Sequence, residues 1–312
     1  MAAVWVATGP WRPAPAHAAE SEGVWVAVGD RRFVSRDGAR WEEAQSASDQ
    51  MGIPPLASVV HGLGGFLAVT AGSAPGELLR SVDGRVWTRL KADAPRVASI
   101  AFGNNRFFAA ATGRVLVSTD GEHFFASNRL ELPSSVIPGK SAYGSGEGGP
   151  RYVLLGETEG AAPQGRSYWR GASESGETWL STAVSSEPAV DVTYGGGQFV
   201  VVGPGGLIES SQDGQIWQRH PADPAADFSR VVWTGKRFIA SASTGLWSSQ
   251  DARTWKREQT GAPGILAWAD DTLPLSIALG WSGDLYLNRD GKNWQKAGLP
   301  GAPLLRAVER SH

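Results

Sequence analysis

One short pattern recurs seven times along this 312-residue chain, and it restricts the fold more than any other feature. A small polar residue is followed by Asp two places on, then Gly, then an aromatic three places after the Gly. The copies are Ser35-Arg-Asp37-Gly38-Ala-Arg-Trp41, Ser81-Val-Asp83-Gly84-Arg-Val-Trp87 and Ser118-Thr-Asp120-Gly121-Glu-His-Phe124. The rest are Ser173-Glu-Ser175-Gly176-Glu-Thr-Trp179, Ser211-Gln-Asp213-Gly214-Gln-Ile-Trp217, Ser249-Gln-Asp251-Ala252-Arg-Thr-Trp255 and Asn288-Arg-Asp290-Gly291-Lys-Asn-Trp294, with Ser for Asp in the Ser173 copy and Ala for Gly in the Ser249 copy. From aromatic to aromatic the spacings are 46, 37, 55, 38, 38 and 39 residues. Fixed periods of this size mark arrays of like modules that bury their faces against one another.

The fifth repeat shows what one module holds. Val190-Asp-Val-Thr-Tyr194 leads through a Gly run into Gln198-Phe-Val-Val-Val202, and Gly203 to Gly206 turns into Leu207-Ile-Glu-Ser210 and the motif. These are short β-branched and aromatic runs bounded by Gly and Pro, which read as four strands, a to d. Apolar residues at helical spacing are missing, so almost no helix is expected. The chain is read as all-β: a seven-bladed propeller of four-stranded antiparallel blades in one domain over residues 23–312. Blade one has strands b to d but no inner strand directly before Val24. Leu304-Leu-Arg306-Ala-Val-Glu309 resembles Phe228-Ser-Arg230-Val-Val-Trp233, so the C-terminal strand is expected to close the ring, with Val4 to Thr8 as the alternative.

The motif has a mechanical reading at the c–d hairpin. Its Asp accepts backbone N–H groups just ahead, and its Gly supplies a positive φ. Its aromatic packs on the blade, and six of the 14 Trp sit at that position. Carboxylates in separate turns make a poor calcium cage, so no metal is expected.

These residues carry a resemblance. The motif resembles the Asp-box, or BNR, repeat of sialidase-type β-propellers, S-x-D-x-G-x-T-W, with one residue fewer between Asp and aromatic. Phe199-Val-Val-Val-Gly203 and Val24-Trp-Val-Ala-Val-Gly29 are also similar to bacterial sialidase-like and photosystem-assembly-factor-like propellers. The resemblance covers nearly the whole chain and implies the fold. The sialidase activity it brings to mind needs an arginine triad, a Tyr–Glu pair and an acid/base Asp. Here Trp11-Arg12-Pro13 is the nearest match to the F/Y-R-I-P motif, and no catalytic residue can be carried over.

Composition removes other classes. The net charge is −2 with 19% charged residues, which argues against a nucleic-acid partner. There is no Cys, which excludes thiol catalysis and metal–thiolate sites. No apolar run is long enough to span a membrane as a helix, and no cofactor is expected. Ser134-Ser-Val-Ile-Pro-Gly139-Lys140-Ser141 resembles a phosphate loop but lacks its first Gly and a following helix pattern. The five His are scattered, and His61 aligns with Phe102, Tyr194 and Trp233 as a packing residue of the a–b turn. Residues 1–22 read as a loose arm or the remnant of a secretory signal, with Ala16-His17-Ala18 as its cleavage element. A monomer in a secreted or periplasmic setting is the expectation.

Candidate site residues come from geometry. Inner strands line a propeller's channel, and aligning them on the strand-b aromatic gives one position per blade: Ser58, Ser99, Asp191, Arg230 and Ala267, with Arg306 from the closing strand and the fourth blade near Gly144. Arg, Asp and Arg around one channel suit an anionic ligand. The competing reading is an Asp191–Arg230 ion pair that only satisfies buried charge. Insertions at 128–150 and 157–167, and a milder one at 45–55, are expected as loops on the channel-mouth face. Three functions remain: a non-catalytic binding or assembly propeller that meets a protein or glycan at this face; a carbohydrate-active hydrolase or lyase; or a small-molecule biosynthetic enzyme. A hydrolase needs two converging carboxylates, for which Glu77, Glu157, Glu159, Asp223, Asp227 and Asp284 are the candidates on that face.

Overall fold

The computed structural model describes residues 23–44, 54–72, 76–90, 97–126, 136–146, 148–162, 165–258, 261–273, 275–301 and 303–311. They form seven four-stranded antiparallel sheets whose inner strands stand side by side in a ring, a seven-bladed β-propeller. The described residues contain no helix, and so none that is long and apolar enough to cross a membrane. Blade five is representative: Asp191–Gly195, Gln198–Gly203, Leu207–Ser211 and Gln218–Arg219 pair in that order.

The continuous apolar runs of the second strands follow from stacking on both sides. Successive side chains of a strand point to opposite faces. Trp25 and Ala27 therefore join Phe33, Ile277 and Leu305 between blades seven and one. Val26 and Val28 join Leu56, Phe66 and Trp87 between blades one and two. Each of the other blade interfaces has its own cluster of this kind. The outermost strands are mostly short and polar, such as Glu42–Glu43, Thr88–Arg89 and Lys256–Arg257, all exposed. Short charged edges discourage pairing with another sheet.

The ring is closed by Leu305–Arg310, the inner strand of blade one, as the sequence led us to expect. Trp25 pairs with Arg310, Val26 with Glu309, Ala27 with Val308 and Val28 with Ala307, and the register shifts before Leu305 meets Gly29. Val24 N–H also donates to Ser311 Oγ at 2.7 Å. Residues 1–22, including Trp11-Arg12-Pro13 and the Val4 to Thr8 alternative, lie outside the described residues.

The repeated motif builds the c–d hairpins. In blade two, Ser81 Oγ donates to Asp83 Oδ1 at 3.2 Å and accepts the Gly84 N–H at 2.9 Å. Asp83 Oδ1 also accepts the N–H groups of Arg85 and Val86, and Trp87 Nε1–H donates to Gly84 O at 2.9 Å. Gly84 has φ 76°, and the equivalent Ala252 takes φ 62° despite its side chain. In blade four Ser175 replaces the Asp, and its hydroxyl accepts the Glu177 N–H at 3.0 Å. In blade seven Asn288 Oδ1 takes the role of Ser, accepting the Gly291 N–H at 2.7 Å. Such backbone bonds hold Asp37, Asp120, Asp251 and Asp290 well below the usual carboxylate range.

On the same face as these hairpins, at the a–b turns where the inner strands end, aromatic rings seat against glycines of the preceding blade. Phe102 lies over Gly62, Tyr143 over Gly103, Tyr194 over Gly144 and Trp233 over Gly195. His61 holds the same place in blade two, its ring 4.9 Å from that of Phe66. A Cβ at Gly103 would collide with the Tyr143 ring. Gly103→Ala is therefore expected to cost about 1–3 kcal/mol through overpacking; an unchanged melting temperature would show that this seat has slack.

The two larger insertions are mostly strand, not irregular loop. Val136–Gly146 is the inner strand of blade four, and Gly149–Ala162 with Gly165–Ser173 lengthens the next hairpin. Blade four absorbs its extra residues by extending paired strands, which satisfies their backbone groups. Residues 127–135 and most of 45–55 lie outside the described residues. The phosphate-loop look-alike runs into this inner strand and no helix follows it.

Candidate functional site at the channel mouth

Every inner strand except that of blade five carries a register shift near its start, where the chain enters from the mouth face. Counting back three places from each a–b turn residue gives one position per blade: Ser58, Ser99, Lys140, Asp191, Arg230, Ala267 and Ala307. All seven line a single channel cavity of about 430 Å³, a volume suited to a small ligand or to the end of a larger one.

Four predicted residues, Ser58, Ser99, Asp191 and Arg230, thus come together as expected. Arg306 does not. It occupies the bulge between Leu305 and Ala307, and its guanidinium pairs with Asp30 at 2.7 Å, away from the channel lining. The inner strand of blade six has the same shift between Phe228 and Arg230, so Leu305, not Leu304, is the counterpart of Phe228, and Ala307 takes the place that Arg306 was expected to fill. The fourth-blade residue is Lys140, not one near Gly144. Tyr143 is the a–b aromatic of that blade, and the next strand's aromatic, Tyr152, is displaced by the longer hairpin.

Lys140, Asp191 and Arg230 come from three consecutive blades and form one charged arc. Asp191 is 5% exposed. Its Oδ2 accepts the Val231 N–H at 2.9 Å and lies 3.6 Å from Arg230 Nε. That is an ion pair without a hydrogen bond, and among the described residues the Arg230 guanidinium donates no hydrogen bond. Lys140 is reached by water within the channel. The nearby Arg230 charge, and then desolvation, push its ammonium pKa down, partly offset by Asp191. Two cations facing one carboxylate leave the arc positive. Ser99 and Ser141 hydroxyls meet at 2.7 Å beside Lys140.

Two residues further into the channel, the equivalent positions include Val60, Thr193, Val232, Ala269 and Glu309. Glu309 is the one carboxylate at that level among the described residues. Desolvation pushes its pKa from 4.5 up to about 8, opposed by a backbone hydrogen bond and by Arg230. That shift favours the neutral acid at pH 7. Folding raises its proton affinity, so this group withdraws stability progressively as pH rises from 4.5 toward 8. Neither Lys140 nor Glu309 was singled out from sequence. The signal lay in the turn-side count, where Lys and Glu stand among Ser, Val, Ala and Thr.

The carboxylates expected on the mouth face are occupied locally. Glu77 pairs with Arg89 at 3.2 Å and Asp284 with Lys296 at 2.9 Å. Asp223 and Asp227 accept backbone N–H groups of Ala225 and Gly205 at 2.9 Å each. Glu157 lines a smaller groove that it shares with Lys140 and Tyr168, and Glu159's side chain is outside the described residues. Among the described residues no three metal-ligating side chains cluster.

No protein-family model matches the chain, and no curated protein matches it in sequence. Solved structures do match. The chain is 9% identical to one in the nidogen/laminin complex, with TM-score 0.54 over 92% of this chain and 98% of that one. The WD40 β-propeller domain of Doa1 is also 9% identical, with TM-score 0.55 over 89% and 90%. The tricorn protease is 6% identical, with TM-score 0.59 over 91% of this chain and 34% of its own. At such identities the likeness is one of backbone architecture: the chain has the β-propeller fold these proteins share, and its chemistry is to be read from its own channel.

Proposed function

We propose that this protein is a non-catalytic binding propeller that takes an anionic group at the channel mouth, between Lys140 and Arg230. The observation that carries the reading is the charged arc itself. Two cationic side chains face one carboxylate in a solvent-accessible channel, and the Arg230 guanidinium, 3.6 Å from Asp191, donates no hydrogen bond to a described residue. A guanidinium fork and an ammonium suit a carboxylate or a phosphate. Four of the six mouth-face carboxylates, Glu77, Asp223, Asp227 and Asp284, are tied into local pairs and turns, which favours binding over the converging acid and base that a glycosidase needs. The Asp-box kinship of the hairpins stays part of this proposal as a description of the turn. It brings no sialidase chemistry with it.

The test is calorimetric titration with hexanoate at pH 7. Lys140→Ala and Arg230→Ala should each weaken binding about 10-fold or more, since a hydrogen bond to a charged group contributes about 1.5–3 kcal/mol. Arg306→Ala should leave binding unchanged, because that guanidinium is committed to Asp30. No measurable binding by the parent, or equal binding by the two channel variants, would refute the proposal.

A further inference from the structure

We infer that Glu309 is a hydrogen-bond donor set below the charged arc, and that it selects anionic ligands carrying a polar acceptor at their far end. The inference rests on the binding role just proposed and adds the ligand's second point of recognition. Its basis is position. Lys140, Asp191 and Arg230 occupy one level of the channel, and Glu309 sits two strand residues deeper. At about 3.3 Å per residue the axial separation is roughly 7 Å. Val60, Thr193, Val232 and Ala269 line the wall at the deeper level. A ligand with its charge at the mouth thus runs its body past this wall and ends beside one carboxyl group.

The titratable groups lining the channel are Lys140, Asp191, Tyr194, Arg230 and Glu309. Glu309 keeps its proton at neutral pH because it is desolvated and Arg230 only partly offsets that. A protonated carboxyl has one O–H to donate, while an ionised one only accepts. Tyr194 is pushed up by burial and stays neutral. Lys140 is lowered and also loses charge in alkaline solution, but that change weakens every anion alike. The predicted chemical class is a short keto acid, or a larger molecule ending in such an acceptor-only group.

The experiment compares 5-oxohexanoate with hexanoate, which has the same chain without the far acceptor; a ketone oxygen can accept but not donate. The parent protein at pH 6 is expected to bind the keto acid about 10-fold tighter. That preference should vanish above pH 9, where Glu309 is ionised, and in Glu309→Leu at all pH values. Glu309→Gln should keep it, because the amide still donates, and should remove its pH dependence. Equal affinities for the two acids at pH 6, with hexanoate binding still sensitive to Lys140→Ala, would overturn this inference and leave the binding role standing. A preference that survives in Glu309→Leu would also overturn it. Failure of both acids to bind would remove both readings.

Discussion

Deleting residues 303–312 is expected to leave a protein that does not fold into a stable ring, seen as insolubility or as loss of the cooperative melt. The closing strand buries Leu305, Ala307 and Val308 in two different blade interfaces. Burying each of the larger side chains contributes about 1.5–3 kcal/mol. Deletion also strips five ladder partners from Trp25–Gly29, leaving an apolar strand with an open edge. The combined loss is comparable with the about 5–15 kcal/mol that stabilises a whole domain. A soluble truncation with the parent's melting temperature would mean that blade one finds its inner strand elsewhere. Adding back a peptide of residues 303–312 should restore the melt if the remaining blades stay competent.

Trp87→Ala is expected to cost about 3–5 kcal/mol, the usual penalty for emptying a buried aromatic site. The indole is 2% exposed, packs between blades one and two, and donates to Gly84 O. Chemical denaturation with the parent and the variant measures the difference. Trp294 is the internal control. It occupies the same motif position in blade seven, but its indole N–H turns to Gly261 O at 2.8 Å in an exposed setting. Trp294→Ala should therefore cost clearly less. Trp87 is absent from the channel lining, so the folded variant should bind hexanoate like the parent. A variant that melts normally yet loses binding would contradict the structural role of the motif.

The repeat made the fold legible because its chemistry is local. Ser81, Asp83, Gly84 and Trp87 bond within seven residues, so the hairpin they form needs no knowledge of the rest of the chain. Closure was legible by subtraction, since blade one lacked an inner strand. The site was legible only in part, because channel-facing positions depend on register. In blades two, three, five and six the count from strand b found Ser58, Ser99, Asp191 and Arg230. In the closing strand there is no downstream aromatic to count from, and matching Leu304 rather than Leu305 to Phe228 set the alignment one residue out. That one residue exchanged Ala307 for Arg306. In blade four the lengthened hairpin hid Lys140 by moving the reference aromatic to Tyr152. Glu309 was in plain view, but its meaning comes from low dielectric surroundings assembled by several blades.

Ring closure by the last strand also has a kinetic consequence. The bond from Val24 N to Ser311 Oγ joins residues 287 apart, so the first blade is completed by the end of the chain. Relative to closing one blade-sized loop, this is about three doublings of length, or roughly 2 kcal/mol of extra chain entropy. The thermodynamic cost is modest, but topology of this kind slows folding. During synthesis on the ribosome, Val24-Trp-Val-Ala-Val-Gly29 is made early and its partner late. An uncharged six-residue stretch of β-formers therefore waits with one edge unpaired, the state in which intermolecular strand addition is most favoured. A neighbouring copy's Leu305–Arg310 fits that edge as well as the chain's own. Crowded folding conditions are therefore expected to raise the yield of domain-swapped rings, each borrowing its seam from the next molecule, which size-exclusion chromatography after refolding at rising protein concentration would detect.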